Sequence, residues 1–112
     1  MSLFYNLTKV YEVSADIGFV KQIVAMYLSE IPVDVLKIEE GINEIDYKKT
    51  YAFAHKIKAT LDLLGMHPAY DNILKIENWT KMEGKIEEVL PIFNQVKEQV
   101  IEVARELKKD FP

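Results

Sequence analysis

Cysteine is absent from this sequence, so the chain holds no disulfide, no thiolate nucleophile and no sulfur-ligated metal. Glycine and proline are scarce, at four residues each among 112. The glycines stand singly at positions 18, 41, 65 and 84, which excludes a Gly-rich phosphate loop. An excess of positive charge is missing too: 14 Lys and Arg against 18 Asp and Glu leave a net charge of −4. Nucleic-acid recognition leaves a basic stripe, so it is not expected here. No uncharged apolar run approaches the ~18–20 residues that cross a bilayer. The N-terminus, Met1-Ser2-Leu3-Phe4-Tyr5, lacks the basic flank and apolar core of a signal peptide. The expectation is one cytoplasmic domain spanning residues 1–112, monomeric, with neither a membrane nor a nucleic-acid partner.

Metal chemistry finds little support. There are only two histidines, too few without cysteine for a zinc site. Di-iron bundles need Glu-x-x-His pairs, and the residues three before the histidines are Ala52 and Leu64. Asn6-Leu7-Thr8 and Asn78-Trp79-Thr80 match the glycosylation sequon, but without a secretory signal both read as chance.

What the chain does have is apolar residues, 49% of the total, recurring every three or four positions with no period-2 alternation. That pattern is helical. Ser14, followed by Ala15 and Asp16, marks a helix start whose apolar face is Ile17, Val20, Val24, Tyr27, Leu28 and Ile31. Pro32 reads as the first-turn proline of the next helix, with Val35, Ile38, Ile42 and Ile45 inward. Asp46 caps a helix from about Tyr47 to Leu64, whose inward stripe is Ala54, Ile57, Leu61 and Leu64, and Gly65 stops it.

His67-Pro68 opens another helix with Tyr70, Ile73, Leu74, Ile76 and Trp79 as apolar positions, and Gly84 ends the pattern. The last helix carries Ile86, Val89, Phe93, Val96, Val100, Val103 and Leu107, with Pro91 as a kink or as its true first turn. A further short turn is expected around Leu7–Val13. Helices joined by connections of a few residues run antiparallel. The fold class is all-α: an up-and-down antiparallel four-helix bundle with a short extra N-terminal helix.

His55 is the residue of chemical interest. At ~100° per residue, the stripe Ala54, Ile57, Leu61 and Leu64 turns His55 more than ~90° from the buried side. Lys48, Tyr51, Ala52, Ala59 and Asp62 share its outer face, with Lys58 on the flank. By itself an exposed histidine on a helix usually does nothing. His67, between Gly65 and Pro68 at a helix junction, reads as a cap. Trp79, Tyr27, Phe93 and Tyr70 fall at helical spacing and read as core.

The run Phe53-Ala54-His55-Lys56-Ile57-Lys58-Ala59-Thr60, followed by Leu64-Gly65-Met66, resembles the signature of the histidine-containing phosphotransfer (HPt) domain. That family's pattern is Ala-His-x-Leu-Lys-Gly-Ser with a Leu-Gly-Ala a few residues on. The helix order and the Ile76-Glu77 pair of the next helix fit as well, so the resemblance spans roughly Val13 to Leu107. It implies that His55 accepts a phosphoryl group from an aspartyl phosphate on a receiver domain and passes it to another. A neutral imidazole has a free lone pair near physiological pH.

Lys58, one turn on, leans back toward His55 because helical side chains tilt toward the N-terminus, and would offset phosphoryl charge. Ala59 stands where the family has glycine and lets a partner approach closely. Thr60 replaces the family's serine. Asp62 either pairs with Lys58 or repels the phosphoryl group. Lys48, Lys49, Lys56 and Lys58 make this helix locally basic, which suits an acidic receiver, and Tyr51 is a candidate docking aromatic.

The implied partners are the receiver domain of a hybrid histidine kinase and a response regulator. No cofactor belongs to the chain itself; the receiver supplies magnesium. With no ATP site the chain is a phosphoryl carrier, not an autokinase. The competing reading is a helical adaptor that binds receiver or kinase domains through the same face without being phosphorylated.

Overall fold

The computed structural model describes residues 4–112; the first three residues of the N-terminal segment inspected for a signal peptide lie outside it. Five helices follow in order: α1 (Thr8–Val13), α2 (Ile17–Asn43), α3 (Tyr47–Leu63), α4 (His67–Lys81) and α5 (Ile86–Asp110). Helix α2 packs on α3, α3 on α4, α4 on α5, and α5 returns to α2. Successive helices joined by such short connections alternate in direction, giving the expected four-helix bundle with α1 as the short extra helix. Among the described residues there is no strand, and no helix is long and apolar enough to cross a membrane.

The helix expected to begin at Pro32 does not exist as a separate element. Pro32 lies inside α2, which runs unbroken from Ile17 to Asn43. Proline costs a helix interior about 3 kcal/mol through its lost N–H and steric clash. The buried series Val24, Tyr27, Ile31, Val35, Ile38 and Ile42 continues across it in phase, and burying those side chains contributes several times that amount, at about 1.5–3 kcal/mol each. Pro91 behaves alike: α5 begins at Ile86, so Pro91 is not its first turn. At the start of α2 the capping residue is Asp16, which accepts from the Gly18 N–H at 3.0 Å, and not Ser14, whose hydroxyl oxygen accepts from Asp16 N–H. Ile17 and Ile45 also depart from expectation, being 58% and 49% exposed. One is the first residue of α2 and the other lies beyond its end at a φ of 52°.

Helix α3 begins and ends as the sequence predicts. Asp46 accepts from Lys49 N–H at 3.0 Å, satisfying one of the orphan donors of a first turn. Gly41 of α2 faces this turn; a Cβ there would run into the Thr50 hydroxyl and lie 3.0 Å from Thr50 N. The missing side chain is therefore what lets α2 meet the start of α3 closely. At the other end Gly65 takes φ 64°, the left-handed conformation that costs glycine least. Its bare face receives the N-terminal segment, where Asn6 N–H donates to Leu64 C=O at 2.8 Å. The Tyr5 hydroxyl donates to the Asp110 carboxylate, tying this segment to the end of α5.

Of the aromatics expected in the core, Tyr27, Phe93 and Trp79 are buried and Tyr70 is half-buried against it. Burial pushes the Tyr27 hydroxyl above its ordinary pKa while it donates to Val100 C=O. Tyr47 packs against Trp79 with centroids 4.9 Å apart. Both donate hydrogen bonds into the α4–α5 turn, to Gly84 C=O and Lys85 C=O. Leu74, expected on an apolar face, is 41% exposed.

Candidate functional site

Ala54, Ile57 and Leu61 are fully or almost fully buried, so the α3 backbone is held with His55 facing out. The His55 side chain is 59% exposed. It is not isolated, however. Nδ1 lies 3.0 Å from Oε2 of Glu77 on α4, and the other carboxylate oxygen, Oε1, lies 3.1 Å from Lys58 Nζ. Glu77 is nearly buried, its side chain 6% exposed. A buried carboxylate is costly unless its oxygens are paired, and here each oxygen has a nitrogen partner.

Two consequences follow for the imidazole. A carboxylate can only accept, so in the neutral ring the hydrogen sits on Nδ1 and the lone pair on Nε2. The ring is also held in orientation from one edge. Its face stacks on Tyr51, one turn earlier, with centroids 5.5 Å apart and planes 16° from parallel. Lys81 of α4 places its ammonium 5.6 Å from the Tyr51 centroid on a cation–π contact. The antiparallel helices thus form two rungs, His55 opposite Glu77 and Tyr51 opposite Lys81.

Lys58 does not simply lean back onto His55. Its ammonium is bonded to Glu77, and that hydrogen bond, ahead of the opposing effect of desolvation, holds its pKa above the ordinary lysine value. Asp62 does not pair with Lys58: its carboxylate binds Lys9 of α1 at 2.8 Å. The basic side of α3 is largely neutralised. Lys49 is paired with Glu40 and Glu44, and Lys56 with the buried Asp34 of α2. Lys48, Ala52 and Ala59 are exposed on the His55 side as expected. His67 is the first residue of α4 and exposed; it does not cap, since the capping position is Met66 and no side chain bonds there.

Glu77 was noted only in the Ile76-Glu77 pair and not as a site residue, and Lys81 was not singled out from sequence at all. The legible signal for Glu77 was an acid in the inward stripe of α4 beside Ile73, Ile76 and Thr80, all buried. For Lys81 there was none, because its relation to Tyr51 exists only once α3 and α4 are packed. Among the described residues no group of three or more His, Cys, Asp or Glu side chains is arranged to hold a metal ion.

The chain is thus an all-helical bundle that displays one hydrogen-bonded, solvent-facing imidazole in mid-helix. No protein-family model and no curated protein matches the sequence. Among solved structures the chain is similar to the HPT domain from the Hpt sensor hybrid histidine kinase from Shewanella, at 17% identity and a TM-score of 0.79. The match covers 95% of this chain and 92% of that one. The fold is that of an HPt domain.

Proposed function

We propose that this protein is a cytoplasmic phosphocarrier of a His–Asp relay, accepting a phosphoryl group on His55 from a receiver-domain aspartate and passing it to another receiver. The observation that carries the reading is the His55–Glu77–Lys58 unit, standing at mid-helix on an HPt fold. The Nε2 lone pair attacks phosphorus, the bond from phosphorus to the aspartyl oxygen breaks, and the aspartate leaves as carboxylate. The ring gains positive charge as the new P–N bond forms. Glu77, accepting from Nδ1–H, stabilises that charge and keeps Nδ1 out of the reaction. Lys58, already beside the shared carboxylate, lies one turn from the acceptor and offsets charge on the phosphoryl oxygens.

The transfer magnesium belongs to the receiver, where it neutralises phosphoryl oxygens. The partners in this reading are the receiver domain of a hybrid histidine kinase and a response regulator. The test is to incubate the protein with a phosphorylated receiver domain and look for label that is acid-labile and base-stable. Label on the wild type and none on His55→Gln is the expected result. Label of equal yield on both overturns the assignment.

A further inference from the structure

The ion pairs around His55 leave its surroundings electrically lopsided. Lys49, Lys56 and Lys58 are each taken by carboxylates of this chain, and on the C-terminal side Asp62 is neutralised by Lys9. Two exposed ammonium groups on the N-terminal side have no carboxylate partner among the described residues. They are Lys48, two turns before His55 on α3, and Lys81, in the last turn of α4. Both line one depression of about 280 Å³, together with Tyr47, Tyr51 and Thr80. Its Tyr51 wall is the ring that stacks on His55 with centroids 5.5 Å apart, so a single ring separates the depression from the imidazole.

The geometry points to this depression as the contact that orients the phosphoryl donor: a carboxylate-bearing protein surface seats its acids on Lys48 and Lys81 across Tyr51. The donor then meets His55 from the N-terminal side of α3. The occupant is argued from charge. Unneutralised cations on an otherwise paired face of a protein of net charge −4 select a partner whose acids are placed to match, and like charge elsewhere disfavours other approaches. Two cations are too few to hold a nucleic-acid backbone on an acidic protein. The inference rests on the relay reading above and adds the docking direction and the residues that set it.

The experiment measures initial rates of transfer from receiver domains of hybrid histidine kinases, charged with acetyl phosphate, as a function of receiver concentration. Lys48→Glu and Lys81→Glu should each raise KM about three- to tenfold at low salt with kcat unchanged, and the difference should shrink in about 0.5 M salt. Lys81→Met, which keeps the stem over Tyr51 and removes the charge, should raise KM by less. Lys75→Glu, in a different depression of α4 beside Leu74 and Trp79, is the control. Unchanged KM in the Lys48 and Lys81 variants, or an equal rise in Lys75→Glu, overturns the docking contact while leaving the relay intact. A wild-type KM for Lys81→Met beside a raised one for Lys81→Glu overturns it too, since only the introduced acid would then matter. If no receiver labels the wild type, the relay reading fails and the docking contact with it.

Discussion

Glu77 holds His55 by its Nδ1 at 3.0 Å from a position 22 residues further along the chain. The tautomer of the neutral imidazole is therefore set by a neighbouring helix rather than by its own. Because the same carboxylate carries Lys58, disturbing any one of the three residues alters the other two.

His55→Gln should leave the fold intact. The side chain is more than half exposed, and exposed substitutions usually shift stability by less than about 0.5 kcal/mol. Thermal unfolding within a few degrees of wild type, together with complete loss of phosphoryl acceptance, is the expected pair of results.

Glu77 should govern both the rate and the position of phosphorylation. Glu77→Gln keeps an acceptor for Nδ1–H but loses the charge, and should slow transfer modestly. Glu77→Ala removes the acceptor and should slow it about tenfold to a hundredfold, a loss of about 1.4–2.7 kcal/mol of transition-state stabilisation. Phosphorus NMR of the wild type should show phosphohistidine at Nε2, with the Nδ1 isomer appearing only in Glu77→Ala.

Lys58→Met should slow transfer without abolishing it, about tenfold in single-turnover rate. It also leaves half of the Glu77 carboxylate unpaired, so it should lower stability at neutral pH. The sign of the pH dependence follows from the raised pKa of Lys58, caused first by its hydrogen bond to Glu77. Its stabilising contribution is complete below the ordinary lysine value of 10.5 and is lost as pH rises through the higher folded value. The stability gap between wild type and Lys58→Met should therefore hold from neutral pH to about pH 10 and close above it, as read by urea unfolding at stepped pH.

Asp62→Asn should leave the transfer rate close to wild type. Its carboxylate is bound to Lys9, with both side chains nearly half exposed, and such a pair is worth about 0–1 kcal/mol. Faster hydrogen exchange in α1, with unchanged phosphorylation kinetics, is the expected signature.

Much of the fold was legible because its causes are local. The three-to-four spacing of apolar residues, the Asp46 cap and the Gly65 stop act within a turn or two of the chain, and α3, α4 and the exposure of His55 followed from them. Pro32 misled for the same reason. Locally it breaks a helix, and only the burial of Val24, Tyr27 and Ile31 in phase with Val35, Ile38 and Ile42 holds α2 together across it.

The charges around the site show where local reading ends. Within one helix, Lys58 and Asp62 stand at a pairing distance worth only a few tenths of a kcal/mol, so any partner from a neighbouring helix can outbid that contact. Glu77 of α4 took the lysine and Lys9 of α1 took the aspartate. The sequence by itself determined that His55 would face outward in mid-helix, because helical phase places it away from a buried stripe. The tertiary structure alone decided which nitrogen of that ring is free and which lysines find a carboxylate within the chain, because those properties depend on how α3 packs against its neighbouring helices.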